Sequence, residues 1–390
     1  MSLKISSLVQ NRLEDGKNEL GFNVEWNGSS ERFVFRWPGE PAPCPGNVAL
    51  LASLPLAFLL GKDLESPYEV CPKLLCGVEE LLKIWVCWQP NYREIQINAP
   101  ESNGKITTVT EGRERAATLS AGIDSFWMLL SQKPEICVYS VGMDEVPMTE
   151  SKEREVLAHL RQICDEVGSK LVVIETNARE ITQQYGSYAL VFGPHLGILG
   201  HLLSATSSEF SIASTFSYRY LRPWGSHVTT DPLMTSSDMC IKHFGTHLVR
   251  ARRLEWLVDH PLAMKHLRVC PKNVEGAYNC GKCTKCRHAG MTLAILGKSH
   301  LCSAIPDIED KPELWTAENP YEARLVEENL ELARSVNAPE HLIQRLLKAK
   351  ERHTIRHWFN RVMKFIKQKT VERVTGLIRS SFLGSVFQKP

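Results

Sequence analysis

The segment from Thr118 to Leu130 constrains the fold of this chain more than any other part of its sequence. It reads as a buried strand that breaks through a tight turn, Ser120-Ala121-Gly122, into an apolar helix, Phe126-Trp127-Met128-Leu129-Leu130. Small residues in such a turn let backbone N–H groups converge on an anion, and the new helix adds the positive end of its dipole. The segment therefore predicts a phosphate site at a strand-to-helix junction.

Polar side chains in the same turn support this interpretation. Ser120 and Ser125 supply hydroxyl donors, whereas the Asp124 carboxylate would repel an anion unless a cation lies between them. Mg²⁺ held between Asp124 and the phosphates would complete the site. The alternative is an ordinary turn in which Asp124 and Ser125 only cap the helix.

Four cysteines further along the chain have the spacing of metal ligands. They form the pattern Cys-x9-Cys-x2-Cys-x2-Cys at Cys270, Cys280, Cys283 and Cys286. Two-residue spacers let adjacent thiolates face one centre, and four sulfurs close a tetrahedral shell. We therefore expect a structural Zn²⁺ ion. A disulfide framework and an iron–sulfur cluster are the alternatives for the same residues.

The two motifs carry a resemblance to known enzymes. The hexapeptide Ser120-Ala121-Gly122-Ile123-Asp124-Ser125 resembles the Ser-Gly-Gly-x-Asp-Ser loop of the PP-loop ATP pyrophosphatases, which cleave ATP to AMP and pyrophosphate. Ala121 departs from that pattern, because it stands where the family usually has its first glycine. A left-handed backbone at that position would cost alanine about 1 to 2 kcal/mol.

The PP-loop and the cysteines together are similar to the 7-cyano-7-deazaguanine synthase family over about residues 116–297. Those enzymes adenylate a deazaguanine carboxylate and use ammonia to form an amide and then a nitrile. Arg287 follows Cys286 directly, where that family has a Leu before its Arg. The resemblance implies that Ser120, Ala121, Gly122, Ile123, Asp124 and Ser125 bind ATP, with Asp124 in a catalytic role.

Alternating strands and helices after Ala116 predict a doubly wound parallel α/β sheet. The strands include Ile136–Val141 and Leu171–Glu175, and Gly168 is expected to cap the helix between them. Ligands of such sheets bind at the C-terminal strand ends, so Val141 and Gly142 are expected near a bound adenine. The aromatic stretch 220–232 is expected to form a substrate wall or simple loop packing.

Basic residues precede the cysteines by about twenty positions. Arg250 and Arg253 begin a predicted helix and are expected to act on ATP phosphates or on charge developing at the α-phosphorus. The alternative is a solvated helix face. His201 and His227, taken singly, are expected to be hydrogen-bonded structural histidines.

The sequence predicts three domains. Residues 1–110 form an α+β cap that contains a hairpin turning at Asn27-Gly28 and a buried apolar helix over 48–60. Residues 111–305 form the PP-loop ATPase domain with its zinc knuckle. Residues 306–390 form a C-terminal helical region, in which a stripe from Ile355 to Ile378 indicates a basic amphipathic helix.

The net charge and the apolar runs of the chain limit the kinds of partner that it is expected to bind. A net charge of +2 over 390 residues does not favour nucleic acid, and the longest apolar run is shorter than the ~20 residues of a membrane span. The chain begins without a secretory apolar core, which favours the cytoplasm. A protein partner, bound through the cap or the C-terminal helix, and a homodimer remain open.

The expected function is that of an ATP-dependent ligase using ATP, Mg²⁺ and Zn²⁺. It would adenylate a carboxylate on a small molecule or peptide, in one version a deazaguanine acid, for attack by ammonia or an amine. A PP-loop enzyme that modifies tRNA and a module that binds nucleotide without turnover are the alternatives.

Overall fold

One ten-stranded sheet runs through the molecule. A computed structural model describes residues 2–102 and 113–354. The strands are β1 (Leu3–Arg12), β2 (Asn18–Trp26), β3 (Ser29–Trp37), β4 (Leu64–Glu65), β5 (Ile97–Asn98), β6 (Glu114–Thr118), β7 (Ile136–Val141), β8 (Lys170–Thr176), β9 (Ser207–Ala213) and β10 (Cys240–Phe244). Their order across the sheet is β10-β9-β6-β7-β8-β3-β2-β1-β4-β5.

The helices cover this sheet. They are α1 (Pro45–Leu60), α2 (Pro72–Trp88), α3 (Ile123–Gln132), α4 (Glu150–Val167), α5 (Ala178–Thr182), α6 (Gly193–Leu202), α7 (Arg250–Leu257), α8 (Pro261–His266), α9 (Thr284–Ile295) and α10 (Pro320–Ser335). Residues 340–354 are also helical. The expected mixed α/β architecture, with a largely parallel sheet between helices, is confirmed.

Strands β6 to β10 pair only in parallel with one another. The first of them, β6, lies in the middle, with β7 and β8 on one side and β9 and β10 on the other. The winding direction therefore reverses between β6 and β9, and in open parallel sheets ligands bind at such a point, outside the carboxyl ends of the strands. The turn after β6 lies at this switch point.

The N-terminal strands extend the same sheet. Strands β2 and β3 form the expected hairpin, and Asn27 and Gly28 both have the positive φ of its turn. Strand β3 then pairs antiparallel with β8, joining Phe35 to Thr176 and Arg36 to Glu175. The sheet is therefore continuous across the boundary expected near residue 110.

Helix α1 is buried on nearly all sides, as its largely apolar sequence requires. It packs on α6 and on β1, so it joins the N-terminal strands to the parallel half. The expected buried helix over 48–60 is confirmed. Within residues 2–102 and 113–354, no helix is both long and apolar enough to span a bilayer.

The C-terminal region packs on α9 and α7. Helix α10 and the helix 340–354 share an apolar cluster with α9 that includes Met291, Ile295, Leu330 and Leu342. This contact places the first turns of α10 beside the start of α7. The amphipathic stripe expected from Ile355 to Ile378 lies outside the described residues.

Candidate functional site

The turn after β6 takes the backbone conformation that its sequence only partly favours. Ala121 has a φ of 56°, in the left-handed region, and is fully buried. Such a conformation costs a non-glycine residue about 1 to 2 kcal/mol. The Ala121 carbonyl accepts a hydrogen bond of 2.8 Å from the backbone N–H of Arg268, which helps to hold the turn.

The two serines of the turn hold each other. The Ser125 hydroxyl accepts the Ser120 N–H at 3.1 Å, and the two hydroxyl oxygens are also 3.1 Å apart. The first intrahelical bond of α3 runs from Phe126 N–H to Gly122 carbonyl, so the preceding N–H groups point out of the helix. These donors and the helix dipole can receive an anion.

Asp124 pairs directly with both predicted arginines. Its Oδ2 lies 2.6 Å from Arg250 Nη2, and its Oδ1 lies 2.5 Å from Arg253 Nη1. Burial works to raise the pKa of Asp124, but the two guanidinium groups outweigh it and lower the pKa. The carboxylate, only 18% exposed, is therefore ionised and engaged at both oxygens.

Arg253 is part of the scaffold of the site. Its side chain is 1% exposed and donates to the carbonyls of Ser214, Gly245 and Leu248 as well as to Asp124. Ser214 follows β9 and Gly245 follows β10. Arg253 therefore ties two strand ends to the first turn of α3.

Arg250 faces the C-terminal region. Its side chain is 10% exposed, and Nη1 donates to the Tyr321 hydroxyl of α10 at 2.9 Å. The site is thus assembled from the turn after β6, the start of α7 and the start of α10. The sequence singled out the first two segments but gave no signal for the third.

Gly142 follows the last residue of β7 at the same edge of the sheet. It has a φ of 90°, and a Cβ at this position would lie 1.9 Å from the Thr176 carbonyl oxygen. Only glycine fits there. Val141 pairs with Glu175 of β8, so it lies at the carboxyl end of its strand, next to that of β8. Contact of Val141 and Gly142 with adenine stays a prediction.

The four cysteines meet as the spacing predicts. Their sulfurs all lie within 4.8 Å of one another, with Cys280 and Cys286 3.9 Å apart and Cys283 and Cys270 4.0 Å apart. Four sulfurs about 2.3 Å from one ion would be about 3.8 Å apart. The described residues thus contain a four-cysteine group that could hold a metal ion such as zinc.

The local chain supports this group, here called the cysteine knuckle. Gly281 has a φ of 70°, and the Cys283 N–H donates to the Cys280 sulfur. Hydrogen bonding from the Cys286 thiol lowers the pKa of Cys283 to about 5, which favours the thiolate that a metal needs. The Asn279 amide oxygen accepts hydrogen bonds from the N–H groups of Val269 and Cys270.

The two histidines named from the sequence are buried in the body of the protein. His201 Nε2 lies 2.8 Å from the Met234 carbonyl, and burial lowers its pKa to about 4. The His227 ring meets the Trp88 ring edge-on. These contacts fit the expectation of structural histidines.

Several residues near Asp124 were missed by the sequence analysis. Glu328 of α10 and His288 of α9 interact electrostatically with Asp124, Tyr321 bonds to Arg250, and Arg222 and Arg324 lie over the Tyr321 ring. His288 is buried with neither ring nitrogen hydrogen-bonded within the described part of the chain, and burial lowers its pKa to about 3. Arg222 was within the predicted substrate wall, but its charge was not singled out.

Comparison of the chain with models of protein families, with curated proteins and with solved structures finds no match. What the site can do must therefore be argued from its residues and geometry.

Proposed function

We propose that this protein is an ATP-dependent ligase that activates a carboxylate as an acyl adenylate. One observation carries the proposal. A strand-to-helix turn with outward N–H groups lies at the switch point of the parallel sheet, and Arg250 and Arg253 are held beside it by Asp124. The resemblance of residues 120–125 to the PP-loop supports the same conclusion.

The reaction needs a leaving group on a poor electrophile. A carboxylate oxygen of the substrate attacks the α-phosphorus of ATP, the bond to the β-phosphate oxygen breaks, and pyrophosphate leaves. A nitrogen nucleophile then attacks the acyl carbon, loses a proton, and displaces AMP to give an amide-type product. Stabilisation of the departing pyrophosphate is what the enzyme must supply.

The residues of the site divide this work. The first-turn N–H groups of α3 bind phosphate oxygens, and Arg250 is positioned to offset the charge of the leaving group. Asp124 fixes the orientation of Arg250 and Arg253 before nucleotide arrives, and it offers carboxylate oxygens of the kind that Mg²⁺ prefers. Mg²⁺, when bound with ATP, would neutralise phosphate charge there.

The cysteine knuckle has a structural role in this proposal. With Zn²⁺ in its four-sulfur shell it keeps no open coordination position for substrate. The Arg268 N–H, two residues before Cys270, holds the Ala121 carbonyl. The knuckle therefore supports the turn from outside.

Product analysis with α-labelled ATP tests the proposal. With Mg²⁺ and a panel of carboxylic acids that includes a deazaguanine acid, the protein should release labelled AMP. Asp124→Ala should abolish AMP formation, whereas Glu331→Gln, which alters an exposed ion pair with Arg219, should leave it unchanged. Labelled ADP, or undiminished AMP formation by Asp124→Ala, would contradict the assignment.

A nucleotide-binding module without turnover is the second candidate. Two features favour it: Ala121 holds a strained conformation, and both oxygens of Asp124 are already bonded to arginine. Tight ATP binding without AMP formation, with every acid tested, would support this function instead.

A further inference from the structure

Two neighbouring residues in the first turn of α10 contact different helices. The Tyr321 hydroxyl accepts a hydrogen bond from Arg250 of α7. The Glu322 carboxylate contacts the first turn of α9, where Thr284 Oγ1 and Arg287 Nη2 lie 2.5 and 2.9 Å from its Oε1. We call these two contacts of Glu322 Oε1 the α10 clamp. One helical turn is therefore bonded both to the proposed nucleotide site and to the helix that follows the cysteine knuckle.

The two oxygens of Glu322 have separate partners. Oε2 accepts the backbone N–H of Glu318 at 2.8 Å, and the Asn319 side chain accepts the backbone N–H of Glu322 at 3.0 Å. This reciprocal arrangement resembles a capping box, in which a Glu or Gln occupies the third helical position. Oε1 takes no part in it. Helix capping alone therefore does not account for the α10 clamp.

The clamp joins two buried charges. The Glu322 side chain is 7% exposed and that of Arg287 is 11% exposed. Burial works to raise the pKa of Glu322, but the hydrogen bonds from Thr284 and Glu318 and the charge of Arg287 outweigh it and lower the pKa. Within residues 2–102 and 113–354, Glu322 is the only carboxylate paired with Arg287. A neutral side chain at position 322 would leave this guanidinium group uncompensated.

Arg287 also holds the chain that leads into α10. Its Nη1 donates to Thr316 Oγ1 at 2.6 Å, so one guanidinium group is bonded both to this segment and to the first turn of the helix. The body of α10 packs on α9 through apolar side chains that include Met291 and Leu330. Apolar contacts of this kind are non-directional. The clamp therefore adds the directional contacts that fix the first turn.

We propose that Glu322 is a positioning residue, which fixes the first turn of α10 so that Tyr321 holds Arg250 beside Asp124. Its carboxylate acts through the Tyr321 hydroxyl and not on the nucleotide itself. The effect on nucleotide binding rests on the proposed function, because it depends on the role given there to Arg250. The bonded path from Arg287 through α10 to Asp124 does not depend on turnover.

The substitution Glu322→Gln separates positioning from capping. The amide oxygen of Gln can still accept the Glu318 N–H, since Gln also serves in a capping box. Its NH₂ group then faces the Arg287 guanidinium group, which has donors only, so the ion pair is lost. A capping role predicts a variant that resembles the wild type, whereas a positioning role predicts a change at Arg250.

Hydrogen–deuterium exchange of the full chain without ligand is the first test. Glu322→Gln should speed amide exchange roughly threefold to tenfold in the first turn of α10 and also in the first turn of α7, because Arg250 loses its fixed partner. Faster exchange confined to α10, or exchange at the wild-type rate in both helices, would overturn the proposal.

Calorimetric titration with ATP and Mg²⁺ is the second test. Glu322→Gln should weaken ATP binding roughly threefold to tenfold, because Arg250 is held less firmly beside the turn. The double variant with Tyr321→Phe should bind ATP about as well as Tyr321→Phe alone, since both changes act through the same hydroxyl. Additive losses in the double variant, or wild-type ATP binding by Glu322→Gln, would overturn the proposal.

Glu135→Gln is the matched control. Glu135 also pairs with an arginine, Arg115, and accepts a backbone N–H, but it lies just before β7, at the opposite edge of the sheet from the turn after β6. This variant should change neither ATP binding nor exchange in α7, and an effect equal to that of Glu322→Gln would overturn the proposal. If the wild-type protein does not bind ATP, the proposed function fails, and the exchange measurement alone decides whether Glu322 positions Arg250.

Discussion

The cysteine knuckle draws its four cysteines from positions 270 to 286. The charged group at the start of α3, by contrast, joins Asp124 to Arg250 and Arg253, which lie 126 and 129 positions further along the chain. In the knuckle, short spacers and one glycine bring the sulfurs together locally. At α3, the same closeness depends on long-range packing, which brings α7 against α3. A local motif can therefore specify a cluster of four cysteines, but not which distant arginines meet a carboxylate.

The two regions also touch. The Arg268 N–H bonds to the Ala121 carbonyl, and the Arg268 side chain pairs with Asp144 at 3.0 Å. Asp144 lies just after β7, at the carboxyl edge of the sheet. Damage to the knuckle should therefore reach the turn, whereas damage to the charged group should leave the knuckle intact.

The largest effect is expected from Cys283→Ser. Loss of one thiolate should release the metal and lower the free energy of unfolding by several kcal/mol or more, because metal binding contributes directly to folding. Elemental analysis and thermal unfolding measure both changes. The exposed Cys240→Ser, which lies outside the knuckle, is the matched control and should change neither.

Two results would contradict the predictions for the cysteine knuckle. Purified protein without stoichiometric zinc, or brown protein with iron, would refute the zinc assignment. Unfolding of Cys283→Ser at the wild-type temperature would show that the knuckle does not stabilise the chain.

The contrast between the cysteine knuckle and the charged group at α3 explains which features could be predicted from the sequence. The strand Ile136–Val141 was predicted with its observed ends, because parallel strands buried on both faces read as continuous apolar runs. Gly168 caps α4 with a φ of 80°, as glycine after an amphipathic helix indicates. The cysteine cluster followed from its spacing in the same way.

Long-range features could not be predicted in this manner. Strand β1 and the pairing of β3 with β8 depend on which edges meet, and no local pattern carries that information. The sequence identified Asp124, Arg250 and Arg253 as charged residues of one site. It did not show that they pair with one another, since the charge of a residue does not specify which other residue it pairs with.

An intermediate effect is expected from Asp124→Asn. The amide keeps the shape of the carboxylate but leaves Arg250 and Arg253 without their shared negative partner. Removing one member of a buried ion pair typically costs about 3 to 5 kcal/mol, and the 18% exposure of Asp124 lowers our expectation to about 2 to 4 kcal/mol. Denaturant unfolding measures the change, and zinc content should stay at the wild-type level.

A double variant sharpens this test. If the loss comes from a stranded guanidinium, Asp124→Asn combined with Arg250→Gln should be less destabilised than the sum of the single variants. Strict additivity would show that Asp124 and Arg250 are not coupled, and a metal loss in Asp124→Asn would show that the charged group and the knuckle are not independent. Glu331→Gln, in an exposed pair, should change stability by less than about 1 kcal/mol.

The smallest effect is expected from Tyr321→Phe. This change removes the hydroxyl that accepts the Arg250 hydrogen bond but keeps the ring beneath Arg222 and Arg324. We expect a loss of about 1 to 2 kcal/mol in unfolding free energy, because the acceptor partner of a charged donor is lost. The exposed Tyr218→Phe is the control and should be neutral. If α10 completes the site, Tyr321→Phe should also weaken ATP binding, because the hydroxyl helps to hold Arg250 beside Asp124. ATP binding at the wild-type level in Tyr321→Phe would show that this hydroxyl does not position Arg250 for the nucleotide.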